Sequence, residues 1–215
     1  MNDSNLIKIC EDMYTEANDI YLIHRAQLGQ YDFGYKILYG PPHKKCPILF
    51  IGDQPGGKVA DEKPNERYGW PSRCEYATES WTLARNMQSM FGIKLLEQCV
   101  GMNANFFRSP DAIAWKKVEK TIRTVLEGFC LSKLSSVIAS AMPQQIVTIG
   151  FATLKKFGPT EPLLYGTKDR VLMQRGKIGS WPAVSTLHLS GAQIAEDDRR
   201  SIANKIRALA AGHET

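Results

Sequence analysis

Three side chains of this 215-residue chain stand where short apolar runs give way to polar loops: the carboxylate of Asp53, the amide of Asn105 and the imidazole of His188. A carboxylate can act as general base toward water. An amide offers a donor and an acceptor side by side. A neutral imidazole can donate to an oxygen on which negative charge gathers. The neighbours of these residues are Gly52, Gln54, Pro55 and Gly56 around the first, Arg108 after the second, and Ser190, Gly191, Ala192 and Gln193 after the third. Taken singly, each key residue also has an ordinary structural role open to it: a capping acid, a turn amide tying a strand end, a loop histidine.

Elements that bring such loops together are written in the hydrophobic pattern. Residues 47–51, 99–107, 146–150 and 182–187 read as strands, short and apolar on both faces as buried parallel strands are. Val171 to Gln174 reads as an edge strand. Helical periodicity predicts helices over about 3–28, where Ile9, Met13, Ala17 and Ile20 form one face, and over 77–90, 111–127, 131–141, FATLKKF at 151–157, and 194–210 with Ile202, Ile206 and Leu209 inward. Strand and helix alternate. That order predicts one α/β domain over 1–215, a three-layer α/β/α sandwich on a central, mainly parallel four-stranded sheet, with the first helix as an N-terminal extension. Ligands of such sheets bind beyond the carboxyl ends of the strands, where Asp53, Asn105, Gly150 and His188 all fall.

Composition narrows the class without choosing within it. Hydrophobic residues are 43% and charged residues 23% of the chain, ordinary globular values, and the net charge of +5 is modest. No apolar run reaches the roughly 20 residues of a membrane span, and a soluble, cytoplasmic protein is expected. Five scattered cysteines without a C-x-x-C pair and four histidines without ligand spacing ask for no metal or cofactor. Neither G-x-x-x-x-G-K-[ST] nor G-x-G-x-x-G is present, which argues against a phosphate-cradling nucleotide site.

The run ILFIGDQPGG at 48–57 resembles the first motif of the uracil-DNA glycosylase superfamily, and TLHLSGA at 186–192 resembles its last, normally His-Pro-Ser. YGPPHKKCPILFIG before the first motif, NANFFRSP at 103–110 and IVTIGFATLKKFG at 146–158 are similar to the class that includes the iron–sulfur glycosylases. The resemblance covers about residues 36–207. It implies a monomeric DNA glycosylase, whose partner is DNA with a flipped-out base. By that resemblance Asp53 and His188 are catalytic, the first stabilising the sugar cation and orienting water, the second hydrogen-bonding the departing base. Asn105 reads the base edge. Tyr76, seven residues before Leu83, stacks on the base, with a core or surface tyrosine as the alternative. Gly52, Gln54, Pro55 and Gly56 line the substrate. Ser190, Gly191, Ala192 and Gln193 form a minor-groove loop in which Gln193 or Ile194 is the wedge, a plain helix entry being the alternative. Lys58, Arg73, Arg108, Lys155 and Lys156 are candidates for phosphates.

Departures from the family pattern leave substrate and mechanism open. Leu189 replaces the proline of His-Pro-Ser, and Ser109 stands where the iron–sulfur class has a cysteine. Gly-Asp-Gln-Pro-Gly most resembles the branch that becomes covalently linked to uracil, yet the basic insertion with the linking histidine is missing, so ordinary hydrolysis is expected. Gln54 occupies a position where several branches carry the catalytic Asp or Asn, so Asp53 and Gln54 compete to position the water. Uracil is the default base. Gly56 falls where the most uracil-specific branch has a tyrosine walling off pyrimidine C5, which admits a C5-modified base such as glucosylated hydroxymethylcytosine of phage DNA, an antiviral role. A catalytically silent DNA-binding member is the further alternative.

Overall fold

A computed structural model describes residues 4–57, 69–190 and 193–213. Strands β1 (Ile48–Gly52), β2 (Val100–Asn103), β3 (Gln145–Ile149), β4 (Glu161–Tyr165), β5 (Val171–Ile178) and β6 (Trp181–Thr186) form one sheet in the order β2-β1-β3-β6-β5-β4. The first four in that order are parallel, and β5 and β4 add to β6 antiparallel. The expected parallel quartet is therefore the left part of a six-stranded mixed sheet, and the strand number of four is corrected to six. The antiparallel pair escapes the pattern for a physical reason. Pro162 cannot donate to a ladder and so argues against a strand, but β4 is the sheet's edge, where a missing donor costs nothing. β5 runs eight residues and lies inside that edge.

Alternate side chains of the strands feed two apolar cores. Leu49, Ile51, Ile146 and Ala183 point to one face, where α6 (Lys120–Ala141) packs with Leu126, Cys130, Leu134 and Val137 and short α7 (Phe151–Lys155) adds Leu154. Ile48, Phe50, Val147, Ile149 and Val184 point to the other, beneath α3 (Thr82–Phe91) and α8 (Glu196–Ala210). The three layers follow from this alternation. Where separate helices over 111–127 and 131–141 were expected, α6 runs unbroken through Gly128, its residues Ile122, Leu126, Cys130, Leu134 and Val137 buried in one core with α1 and the sheet. The region read as one helix over 77–90 is instead α2 (Glu75–Thr78), a break, and α3, with α4 (Ile93–Leu96) beyond. A further helix, α5 (Ala112–Lys117), is capped by Asp111, whose carboxylate accepts from the N–H groups of Ile113 and Ala114 at 2.8 and 2.7 Å.

Helix α1 (Ser4–Leu28) is no appendage. Leu6, Cys10, Met13, Tyr14, Ala17 and Tyr21 are buried against α6 and the core, and Tyr14 Oη accepts from Leu38 N–H at 3.2 Å. The buried stripe is turned from the expected one, with Ile9 and Ile20 only half-buried at its borders. Among the described residues no helix is long and apolar enough to cross a membrane. All five cysteines are free and buried. Burial pushes the thiols of Cys10, Cys46 and Cys130 up to about 12 and those of Cys74 and Cys99 upward as well, so each keeps its proton.

Candidate active site

Register puts the expected residues on one edge. Gly52 pairs with Asn103, Ile51 with Thr148, and Ile149 with Thr186. Continuing these registers one residue past Gly52–Asn103 and Ile149–Thr186 and two past Ile51–Thr148, Ala104, Asp53, Gly150 and Leu187 stand level at the carboxyl ends of four neighbouring strands, and Asn105 and His188 come next. Strands lie about 4.8 Å apart, so the backbones carrying Asp53 and His188 are separated by about 10 Å, with the strand end of Gly150 between them. Asn105 is on the other side of Asp53, its N–H donating to the Asp53 carbonyl at 2.9 Å.

The loops after β1 and β2 brace each other residue by residue. Ala104 N–H donates to Gly52 O at 2.8 Å, Ser109 N–H to Pro55 O at 3.1 Å, and Gly57 N–H to Ser109 O at 3.1 Å. The Gln54 amide donates to Phe107 O at 2.9 Å, and Arg108 Nε to Gly56 O at 2.9 Å. Gln54 therefore acts as a strut between loops, which leaves Asp53 as the water-positioning candidate of the two. Buried Ser109, which stands at the iron–sulfur position, donates its hydroxyl to Asp111 O at 2.9 Å and serves the turn. Gly52 permits a close approach: a Cβ there would lie 2.3 Å from Asn103 Oδ1, whose amide donates to Tyr39 Oη at 2.9 Å. Gly52→Ala is expected to lower stability by about 1–3 kcal/mol, the usual cost of overpacking, read as an earlier midpoint in urea unfolding.

Asp53 is one-third exposed and forms an ion pair with Lys156, just past α7. At the start of α7, Gly150 has φ +94°, a conformation that favours glycine, and His188 lies over it: a Cβ at Gly150 would be 3.4 Å from His188 Cδ2. The five-residue α7 thus has the imidazole at one end and the partner of the carboxylate at the other. His188 is exposed, and its Nδ1 is 2.9 Å from Ser190 Oγ. Leu189 anchors this loop in place of a proline. Its side chain is buried, and its carbonyl accepts from the Asn86 amide of α3 at 2.5 Å. Arg170 donates to Gln193 O at 2.7 Å on the far side.

Several expectations change. Tyr76 is 1% exposed, stacked on Tyr39 at 5.0 Å and packed against Trp81 and Phe50, so it belongs to the core and offers no face to a base. Desolvation likewise drives its hydroxyl pKa well above the ordinary value. Ile194 is buried and cannot be a wedge, whereas Gln193 is exposed. Gly191, Ala192 and Lys58 lie outside the described residues. Among the other basic candidates Arg73 is tied to Glu97 and Arg108 to the Gly56 loop, while Lys155 is exposed. A cavity of about 1010 Å³ opens at the opposite, amino-terminal side of β3 and β6, between Gln145, Phe157, Arg175, Pro182 and Lys205, away from these residues. Two contacts had no signal in the sequence: Lys156 on Asp53, and Cys130, 25 residues on, whose thiol donates to Asn105 Oδ1 at 3.7 Å. In comparisons by sequence the chain matches no family model and no curated protein.

Proposed function

We propose that this protein is a DNA glycosylase that takes a modified or damaged pyrimidine out of the stack and hydrolyses its bond to the sugar. The observation that carries the reading is the placing of Asp53, Asn105 and His188 just past the carboxyl ends of β1, β2 and β6, three of four neighbouring parallel strands, with β3 between β1 and β6. Breaking the C1′–N bond sends its electron pair to the base and leaves positive charge on the sugar. His188 answers the first by donating Nε2–H to a base oxygen, in the tautomer whose Nδ1 accepts from the Ser190 hydroxyl 2.9 Å away. Asp53 answers the second and takes the proton of the water that adds to C1′. No protein bond to Nε2 competes among the described residues.

Lys156 holds Asp53 in the unbound protein, and in the complex its ammonium is placed to take a phosphate oxygen of the extruded nucleotide. Lys156→Ala is expected to weaken DNA binding and to reduce the slope of log affinity against log salt by about 1, measured by fluorescence anisotropy across a salt series. The same ion pair favours a second reading, a silent DNA-binding member in which the neutralised carboxylate does no chemistry. Formation of alkali-labile abasic sites in modified duplexes separates the two: accumulation supports the glycosylase, and binding without it supports the silent member. A C5-substituted base finds support in Gly56, which is exposed and where, among the described residues, an added Cβ meets nothing within 4 Å.

A further inference from the structure

We infer that the core of this protein contains a binding site for one internal water, which bridges the hydroxyls of Thr148 on β3 and Ser185 on β6. The two residues are direct partners in the β3–β6 register. Alternation along the strands puts both on one face: Ile146 and Ala183, two residues earlier, belong to the core under α6 and α7, whereas Val147 and Val184 belong to the other. Both residues are 0% exposed. Among the described residues, Thr148 Oγ1 and Ser185 Oγ are enclosed and make no hydrogen bond to the protein.

A hydroxyl is both donor and acceptor. Enclosing one without a partner is unfavourable, because its bonds to water are lost and nothing replaces them. Two such groups side by side are what a single water satisfies, since it can donate to one and accept from the other, and the second lone pair of a strand carbonyl offers it a further bond. Paired residues of neighbouring strands have backbones about 4.8 Å apart, a separation one water spans between two short side chains. Small neighbours leave it room. On the same face Gly150 follows Thr148 with no side chain, and Ala183 precedes Ser185 with a single methyl. The polar row continues beyond the pair: Gln174 of β5 stands opposite Ser185, its Oε1 accepts from Thr160 Oγ1 at 3.0 Å, and Thr160 lines the cavity of about 1010 Å³. Polar side chains thus follow one another from that cavity to the buried pair. The bridge ties β3 to β6 two residues before Gly150 and three before His188, a side-chain link between the strand that leads to the imidazole's seat and the strand that leads to the imidazole.

The test combines a crystal structure of the unaltered protein with urea unfolding of three variants, and it is independent of any activity on DNA. A water within about 3.2 Å of both oxygens supports the inference. Thr148→Val keeps the side-chain shape and removes one hydroxyl, and Ser185→Ala removes the other. Each alone takes a partner from the water and is expected to move the unfolding midpoint to lower urea. The double variant is expected to recover part of that loss, because replacing both polar groups together leaves neither short of a partner. Midpoints at or above the parental one in both single variants mark hydroxyls that nothing satisfies and overturn the inference. Losses that simply add in the double variant contradict a shared water. So does density in which the two oxygens touch each other, or turn to backbone carbonyls, with nothing between them. If a variant does not fold, the crystal structure of the unaltered protein decides the matter by itself.

Discussion

His188→Ala is expected to release base about 10²- to 10³-fold more slowly than the unaltered protein, the usual effect of losing one preorganised donor at a developing negative charge. Its fold should be untouched. The ring is exposed, and the side-chain bond it makes is with Ser190, two residues away. Thermal melting should therefore superimpose on that of the parent while single-turnover release falls. His188→Ala retaining near-parental turnover would remove the imidazole from the mechanism.

Asp53→Asn carries the other large effect, a loss of about 10²- to 10⁴-fold from removing a general base. Here stability is the discriminating readout. The Asp53–Lys156 pair is part-exposed on both sides, and such surface pairs contribute little to folding. A catalytic acid thus predicts lost release with an unshifted melt. A structural acid predicts the reverse, and a destabilised Asp53→Asn variant that still releases base would assign the residue to the loop's architecture.

How far the sequence reached can be followed in individual residues. Ile48, Leu49, Phe50 and Ile51 are buried on both faces, and such runs are read directly as central parallel strands. The ends of these strands then locate the candidate site, since Asp53, Asn105, Gly150 and His188 each follow one. Elements that owe their state to tertiary context were read poorly. β4 contains a proline tolerated only because nothing pairs beyond it. α6 passes through Gly128 with its apolar face buried in the core it shares with α1, and α1 packs through Tyr14 and Tyr21 where simple apolar counting favoured Ile9 and Ile20. Tyr76 shows the same limit within the site. The family resemblance proposed it as a stacking ring, with a core tyrosine as the alternative, and its place is set by Tyr39, Phe50 and Trp81, residues from three other segments. The hydrogen bond from the Cys130 thiol to Asn105 Oδ1 is likewise a contact between a helix and a loop in the core, with nothing local to announce it.

The central claim is that a carboxylate, an amide and an imidazole at one sheet edge act together on a single extruded nucleotide. Single-turnover assays on duplexes carrying uracil, 5-hydroxymethylcytosine or its glucosylated form, read both as free base and as alkali-labile strand breaks, test it most directly. The account predicts stoichiometric appearance of free base and abasic site from at least one of these duplexes, abolished in both Asp53→Asn and His188→Ala. Tight binding of all three with no base released, or release that survives both substitutions, would contradict it.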